Sequence, residues 1–408
     1  MSRYLRAAAV QMDATPAPLE ARLARAADLV AEAAGAGAQI VALPEFFNTG
    51  YLYDDSNYAR AERIDGRTAT WLRAQAKQHA IHLTGTLLLL DEEDTYNTAL
   101  LVAPDGRMWR YDKQYPFLWE RKYYRENRHI TVADTDLGKI GLMICWDAAH
   151  PDLWARYAGR VDAMLILSCP PKVSAADLVF PDGSRVNTRD LGGIWRLLHT
   201  EIEHFPGADM DDHAAWLGVP VIHASAGGQF RSPLPISSVS IAAYLSARPD
   251  LWKWLPRAHE VVIEAGFDLQ TKVIDHTGNV VARVMANGDG LTYASLPLAE
   301  SPPEPTEKQP AMRTSPLAYF LSDAWSNLLL VPEYRMGVRR HINRRMAPID
   351  PRTRVWVGAA ATLAAMGLLA GRALRRGGSD PSRDEAGDPF ILNGGEDADE
   401  TGIDGNPA

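Results

Sequence analysis

The residues of this chain best suited to making and breaking bonds are Glu45, Lys113 and Cys145, and each closes a short apolar run. Leu43-Pro44-Glu45 ends one run, Arg110-Tyr111-Asp112-Lys113 a second, and Met143-Ile144-Cys145 a third. The run before the cysteine, starting at Ile140, is too brief for a helix and follows Gly138-Lys139, which predicts a buried strand. Trp146, Asp147 and Pro151-Asp152-Leu153-Trp154 then turn the chain towards a helix. Cys145 therefore falls at a strand-to-helix elbow, beside N–H groups not used by a ladder. Such groups lower a thiol's pKa and can bind a developing oxyanion. Taken alone, a cysteine at this position is more simply read as core filler. The other two strand ends change that reading: in a layered α/β domain neighbouring strand ends converge on one rim, where ligands bind, so a carboxylate, an ammonium and a thiol can meet there.

The elements that must bring them together are legible as an alternation of helices and short strands. Tyr4–Met12 reads as a strand, and 19–34 as an alanine-rich amphipathic helix with Leu23, Ala27, Leu29 and Val30 on its apolar side. A buried strand over 39–43, a helix over 68–80 and strands over 81–90 and 96–103 follow, with Pro104-Asp105-Gly106 turning into a hairpin partner over 108–113. After an aromatic, charged loop over 114–129 comes the strand to Cys145. Further strands are expected over 162–168 and 219–225, helices over 192–203 and 209–217, and a hairpin around His276-Thr277-Gly278. The pattern predicts an α/β layered domain with mixed sheets, ending near Pro297.

Ala42-Leu43-Pro44-Glu45, Tyr111-Asp112-Lys113-Gln114 and Ile144-Cys145-Trp146-Asp147, with Pro151-Asp152 following, occur in the order and contexts of one known family. Over about residues 4–297 the chain resembles the carbon–nitrogen hydrolase, or nitrilase, superfamily. The resemblance implies a four-layer α-β-β-α sandwich that dimerises or forms a higher homo-oligomer, and an amidase or N-carbamoyl amidohydrolase acting through a thioester. Nitrile hydration and acyl transfer from the same thioester are the alternatives, and a catalytically silent membrane-tethered binding protein is a more distant one. Glu45 would be the base for Cys145, Lys113 and the backbone N–H of Trp146 would hold the oxyanion, and Glu120, preferred to Glu126, would supply the second carboxylate between lysine and cysteine. Asp147 reads as structural, a cap for the following helix. Candidate substrate-binding residues are Tyr51, Trp119, Ser168 and Cys169, although Ser168-Cys169-Pro170-Pro171-Lys172 departs from the family's usual small polar residues there, and Cys169 reads first as a packed structural thiol. The stretches 173–212 and 245–258 stand where specificity loops are expected. His150 and His223 lack a second ligand at metal-binding spacing, so neither a metal nor a cofactor is expected.

Two cysteines in 408 residues are too few for a disulfide framework and point to a reducing compartment. The formal charge of −9 is concentrated at the C-terminus, where 377–408 carry nine acidic residues and one basic. The rest is nearly neutral and has no basic stripe, which excludes nucleic acid as a partner; the partner that the resemblance implies is a small amide, carbamoyl compound or nitrile. The N-terminus reads as a first strand rather than a signal peptide, placing the catalytic domain in the cytoplasm. Beyond Glu300, Ser301-Pro302-Pro303-Glu304-Pro305 opens a linker over 301–350, within which 317–331 reads as an amphipathic helix. Residues 355–371 carry no charge and are flanked by arginines. They read as a transmembrane helix anchoring the domain to the cytoplasmic membrane, or else as an alanine-rich helix packing on another subunit. The acidic tail over 377–408 is expected to be disordered.

Overall fold

The computed structural model describes residues 3–192, 207–305 and 308–343. Its centre is twelve strands: β1 (Arg3–Asp13), β2 (Ile40–Ala42), β3 (His82–Asp91), β4 (Asp94–Val102), β5 (Met108–Asp112), β6 (Val132–Thr135), β7 (Gly138–Ile144), β8 (Ala163–Ser168), β9 (Val221–Gly227), β10 (Lys272–Ile274), β11 (Val280–Arg283) and β12 (Gly290–Leu298). Pairing divides them into two mixed sheets. One runs β5-β4-β3-β2-β1-β12, the other β6-β7-β8-β9-β10-β11. The end of β1 also pairs with β9, through Met12↔Ala226 and Asp13↔Gly227, so one strand stitches the two sheets together.

Their inner faces share one core, in which Leu5, Ala7, Ala9 and Ala42 meet Leu142, Ile144, Leu165, Leu167 and Ile222. On the outer face of the first sheet Ala8, Val10, Val41 and Leu83 receive α1 (Leu19–Gly35) and α2 (Arg67–His79) through Leu23, Ala26, Val30, Leu72 and Ala76. The second sheet takes α3 (Pro151–Tyr157) and α4 (Gly207–Leu217) through Leu153, Trp154, Tyr157, Met210 and Ala214. The layers run helix, sheet, sheet, helix, as expected. Central strands covered on both faces explain the unbroken apolar runs before Glu45 and Cys145. Each such Leu, Ile or Val contributes about 1.5–3 kcal/mol by leaving water.

Several features were not expected. β6 lies between the 114–129 loop and the strand to Cys145, where the sequence predicts no element. The first stretch assigned to a specificity loop supplies two strands, Asp177–Val179 and Arg185–Asn187, of a second, four-stranded sheet completed by Val262–Gly266 and Gln229–Pro233, and the second stretch carries 3₁₀ turns over Pro249–Glu260. The helix expected over 192–203 falls almost wholly outside the described residues.

Past the proline-rich linker, 316–342 are helical throughout, α-helical at Pro316–Tyr319 and at α5 (Ser326–Gly337) and π-helical at Phe320–Trp325 and Val338–Ile342. This segment lies on the domain: Arg313 pairs with Asp209 and Asp212, and Tyr334 OH donates to Asp94 at 2.8 Å and accepts from Thr95 N at 3.0 Å. No helix among the described residues is long and apolar enough to cross a membrane, so anchoring gains no support from them. The span over 355–371 and the acidic tail lie outside the described residues.

Candidate active site

Glu45, Lys113 and Cys145 follow β2, β5 and β7, so the first two come from one sheet and the cysteine from the other. Tight backbone turns set Glu45, Cys145 and the second carboxylate, Glu120. Phe46, Leu118 and Cys145 all adopt left-handed conformations, with φ of 54°, 42° and 48°. None is a glycine, so each costs on the order of 1–3 kcal/mol, which the surrounding core must offset. Cys145 leaves β7 directly into a 3₁₀ turn, Cys145–Ala149, ahead of α3.

The three ionisable groups that act electrostatically on the thiol, Glu45, Lys113 and Glu120, form one buried network. Lys113 Nζ donates to Glu45 Oε1 at 2.9 Å and to Glu120 Oε2 at 2.7 Å, and all three side chains are almost entirely shielded from water. Asn97 Nδ2 also donates to Glu45 Oε1, at 2.7 Å. Glu120 is held further by the Phe117 N–H at 2.7 Å and the Tyr51 hydroxyl at 2.8 Å. These bonds leave two valences open: one of the three ammonium N–H donors of Lys113, and Glu45 Oε2, which has no partner among the described residues. Glu126 lies outside the network, half-exposed and paired with Arg121.

Burial dominates the electrostatics. It pushes the Glu45 carboxyl up to about 7, against the opposing pull of Lys113. It pushes the Cys145 thiol well above its usual range, with Glu45 adding to the rise and Lys113 opposing it. Burial alone would lower Lys113, but Glu120 and Glu45 together hold it well above the ordinary lysine value. At neutral pH the sulfur is thus a thiol in the field of a carboxyl group poised to change charge and of a permanent ammonium.

A cavity of about 100 Å³ opens on Cys145, bordered also by Tyr51, Phe117, Glu120, Trp146 and Cys169. It is smaller than the roughly 300–1,000 Å³ of pockets for drug-sized ligands. Arg189 and the Lys172–Asp268 ion pair border it as well. Two candidate substrate contacts stand elsewhere. Ser168, fully buried at the end of β8, bonds His223 Nε2 at 2.8 Å inside the sheet. Trp119 packs edge-on against Tyr53, ring centres 5.4 Å apart, in the aromatic cluster behind the cavity. His150 bonds Asp323 and the Trp146 carbonyl. Among the described residues no group of three His, Cys, Asp or Glu stands ready to hold a metal.

Asp147 does more than cap a helix. Its Oδ1 accepts from the N–H groups of Gln114 at 3.1 Å and Tyr115 at 2.8 Å, and its Oδ2 from Ile144 N at 3.1 Å and Tyr111 OH at 2.7 Å. One carboxylate therefore ties the segment after Lys113 to the elbow before Cys145. Asp147→Ala would strand these buried donors, and is expected to lower the unfolding free energy by roughly 3 kcal/mol in urea titrations.

Comparisons with known proteins bear on the class. Residues 6–179 match the model of the carbon–nitrogen hydrolase family, so over this segment the chain is similar to the carbon–nitrogen hydrolase, or nitrilase, superfamily. It is similar to a nitrilase of Pyrococcus abyssi, 31% identical over 36% of this chain and 58% of that one. It is also similar to an omega-amidase of Mus musculus, 34% identical over 35% of this chain and 56% of that one. The match thus spans less than two thirds of the length of these curated relatives. A solved structure of a CN-hydrolase superfamily protein from Xanthomonas campestris shares the fold, with a TM-score of 0.51 at 16% identity, over 85% of this chain and 100% of that one.

Proposed function

We propose that this protein is a cysteine-dependent hydrolase of a non-peptide C–N bond in a small amide or N-carbamoyl amine. The observation that carries the reading is the water-shielded Glu45–Lys113–Glu120 network, with one carboxylate oxygen and one ammonium N–H left over, acting electrostatically on a thiol that borders a small cavity. Glu45 Oε2 takes the thiol proton as Cys145 Sγ bonds to the acyl carbon, and the carbonyl π pair becomes an alkoxide. Lys113 Nζ and the backbone N–H of Trp146 meet that charge, each donor worth about 3–4 kcal/mol in such sites. Collapse breaks the C–N bond, and the proton held by Glu45 leaves with the amine. The ionised Glu45 then deprotonates a water that attacks the thioester, and the returning proton restores the thiol. Glu120 fixes the ammonium and touches no reacting atom in this scheme.

The experiment is intact-mass analysis during turnover of short aliphatic amides and carbamoyl amines, with ammonia release followed in parallel. An acyl adduct mapping to the Cys145 peptide is expected, and ammonia release without any adduct on that peptide would remove the thioester. A nitrile substrate belongs in the same assay, because one similar protein is a nitrilase.

The pH dependence has a definite sign. The base must be ionised to accept the proton, and Glu45 sits at about 7. kcat/KM is therefore expected to rise through neutrality and level off above it, a limb that Glu45→Gln should abolish in initial-rate measurements.

A further inference from the structure

The C-terminal segment reaches the shell of the candidate site at several points, among them Tyr319, whose hydroxyl donates to the Ala149 carbonyl, but one side chain touches both turns at once. Asp323 Oδ1 accepts from Trp146 Nε1 at 3.3 Å and from Arg121 NH2 at 3.2 Å, and Oδ2 bonds His150 Nε2 at 2.9 Å. Trp146 directly follows Cys145, and Arg121 directly follows Glu120. His150 returns to the same elbow, its Nδ1 lying 2.9 Å from the Trp146 carbonyl. Arg121 is almost fully buried and owes most of its bonds to this segment: Nε donates to Ser322 O and NH1 to Asn327 Oδ1, both at 3.0 Å. Both turns fastened in this way begin from left-handed residues, Leu118 and Cys145. A strained turn holds its angle only while its surroundings impose it.

We propose that Asp323 is a positioning residue, through which the C-terminal segment fixes both the Cys145 elbow and the Glu120 turn. It does not border the cavity, so it acts on the rate of the chemical step rather than on substrate affinity. The inference rests on the cysteine-hydrolase reading for its consequence in turnover, but its geometry can be tested without that reading, through the reactivity of the thiol.

The test compares full-length wild type with Asp323→Ala, Asp323→Asn and Arg313→Ala. Arg313 docks the same segment through Asp209 and Asp212, away from the elbow. Three quantities are measured: the rate of Cys145 carboxamidomethylation by iodoacetamide, read by peptide mass with Cys169 as internal reference; kcat and KM on the amide turned over; and the melting temperature. Displacing a reacting group by about 1 Å can cost on the order of 100-fold. Asp323→Ala should therefore slow both alkylation and kcat at least tenfold with KM unchanged. Asp323→Asn, which keeps an acceptor for Trp146, should recover part of the loss, and Arg313→Ala should leave all rates near wild type. Alkylation and kcat within twofold of wild type in folded Asp323→Ala would overturn the proposal. So would an equal loss in Arg313→Ala, which would assign the effect to docking in general. If Asp323→Ala does not fold, the decision falls to Asp323→Asn, which must then show a partial loss in both rates at an unchanged melting temperature. Slowed alkylation in a protein that hydrolyses no amide would uphold the positioning role and overturn only the proposed reaction.

Discussion

Cys145→Ala is expected to reduce hydrolysis to the background rate, a loss of roughly 10⁶-fold if the thiol acts as one unit with its base, as in other nucleophile–base systems. The reason is chemical rather than structural. Alanine keeps the β-carbon that the left-handed elbow already accommodates, and the sulfur it removes is a neutral thiol bordering a cavity. Stability should change by about 1 kcal/mol or less, so a mutant that melts near wild type and turns nothing over isolates the nucleophile. Cys169→Ala is the matched control. Cys169 borders the same cavity, and its backbone N–H, directed at the Cys145 sulfur, survives the substitution. Turnover retained in Cys145→Ala, measured as ammonia release, would eliminate the thioester route.

Lys113→Met is expected to fail twice. Without the ammonium, Glu45 and Glu120 are two buried carboxylates with no cation between them. Removing one partner of a buried ion pair costs about 3–5 kcal/mol. The carboxylates would respond by taking up protons, which removes the base as well as the oxyanion donor. In whatever fraction folds, loss of that donor alone should lower kcat by about 10²–10³-fold. Lys113→Arg should not rescue it, because a planar guanidinium cannot replace a point-like ammonium in a fully enclosed site. Denaturant titration and single-turnover kinetics on the same preparation separate the two losses. A stable Lys113→Met protein with unchanged kcat would show that the lysine serves neither purpose.

What the sequence disclosed and what it withheld follow from the range of the interactions. Glu45, Lys113 and Cys145 were visible because each ends an apolar strand, and strand ends are local signals. Glu120 was separable from Glu126 only by its place in the loop, and the structure puts the first in the network and the second at the surface. Asp147 looked like a helix cap because its partners Gln114 and Tyr115 are more than thirty residues away and nothing local announces them. Asp323 is further still from Trp146. Ser168 was misplaced because β8 is buried on both faces, so alternation cannot say which way a side chain points. The second sheet escaped notice for a related reason: strands of three residues, such as Asp177–Val179 and Arg185–Asn187, are too short to show a period.

Base and nucleophile ride on different sheets, joined through the two-residue pairing between β1 and β9. The reaction therefore gauges how well the two halves of the sandwich stay aligned. A slip of the halves by a fraction of an ångström would cost no strand and expose little core, yet would separate sulfur from carboxylate. On gentle heating, catalysis should fade some degrees before any spectroscopic sign of melting.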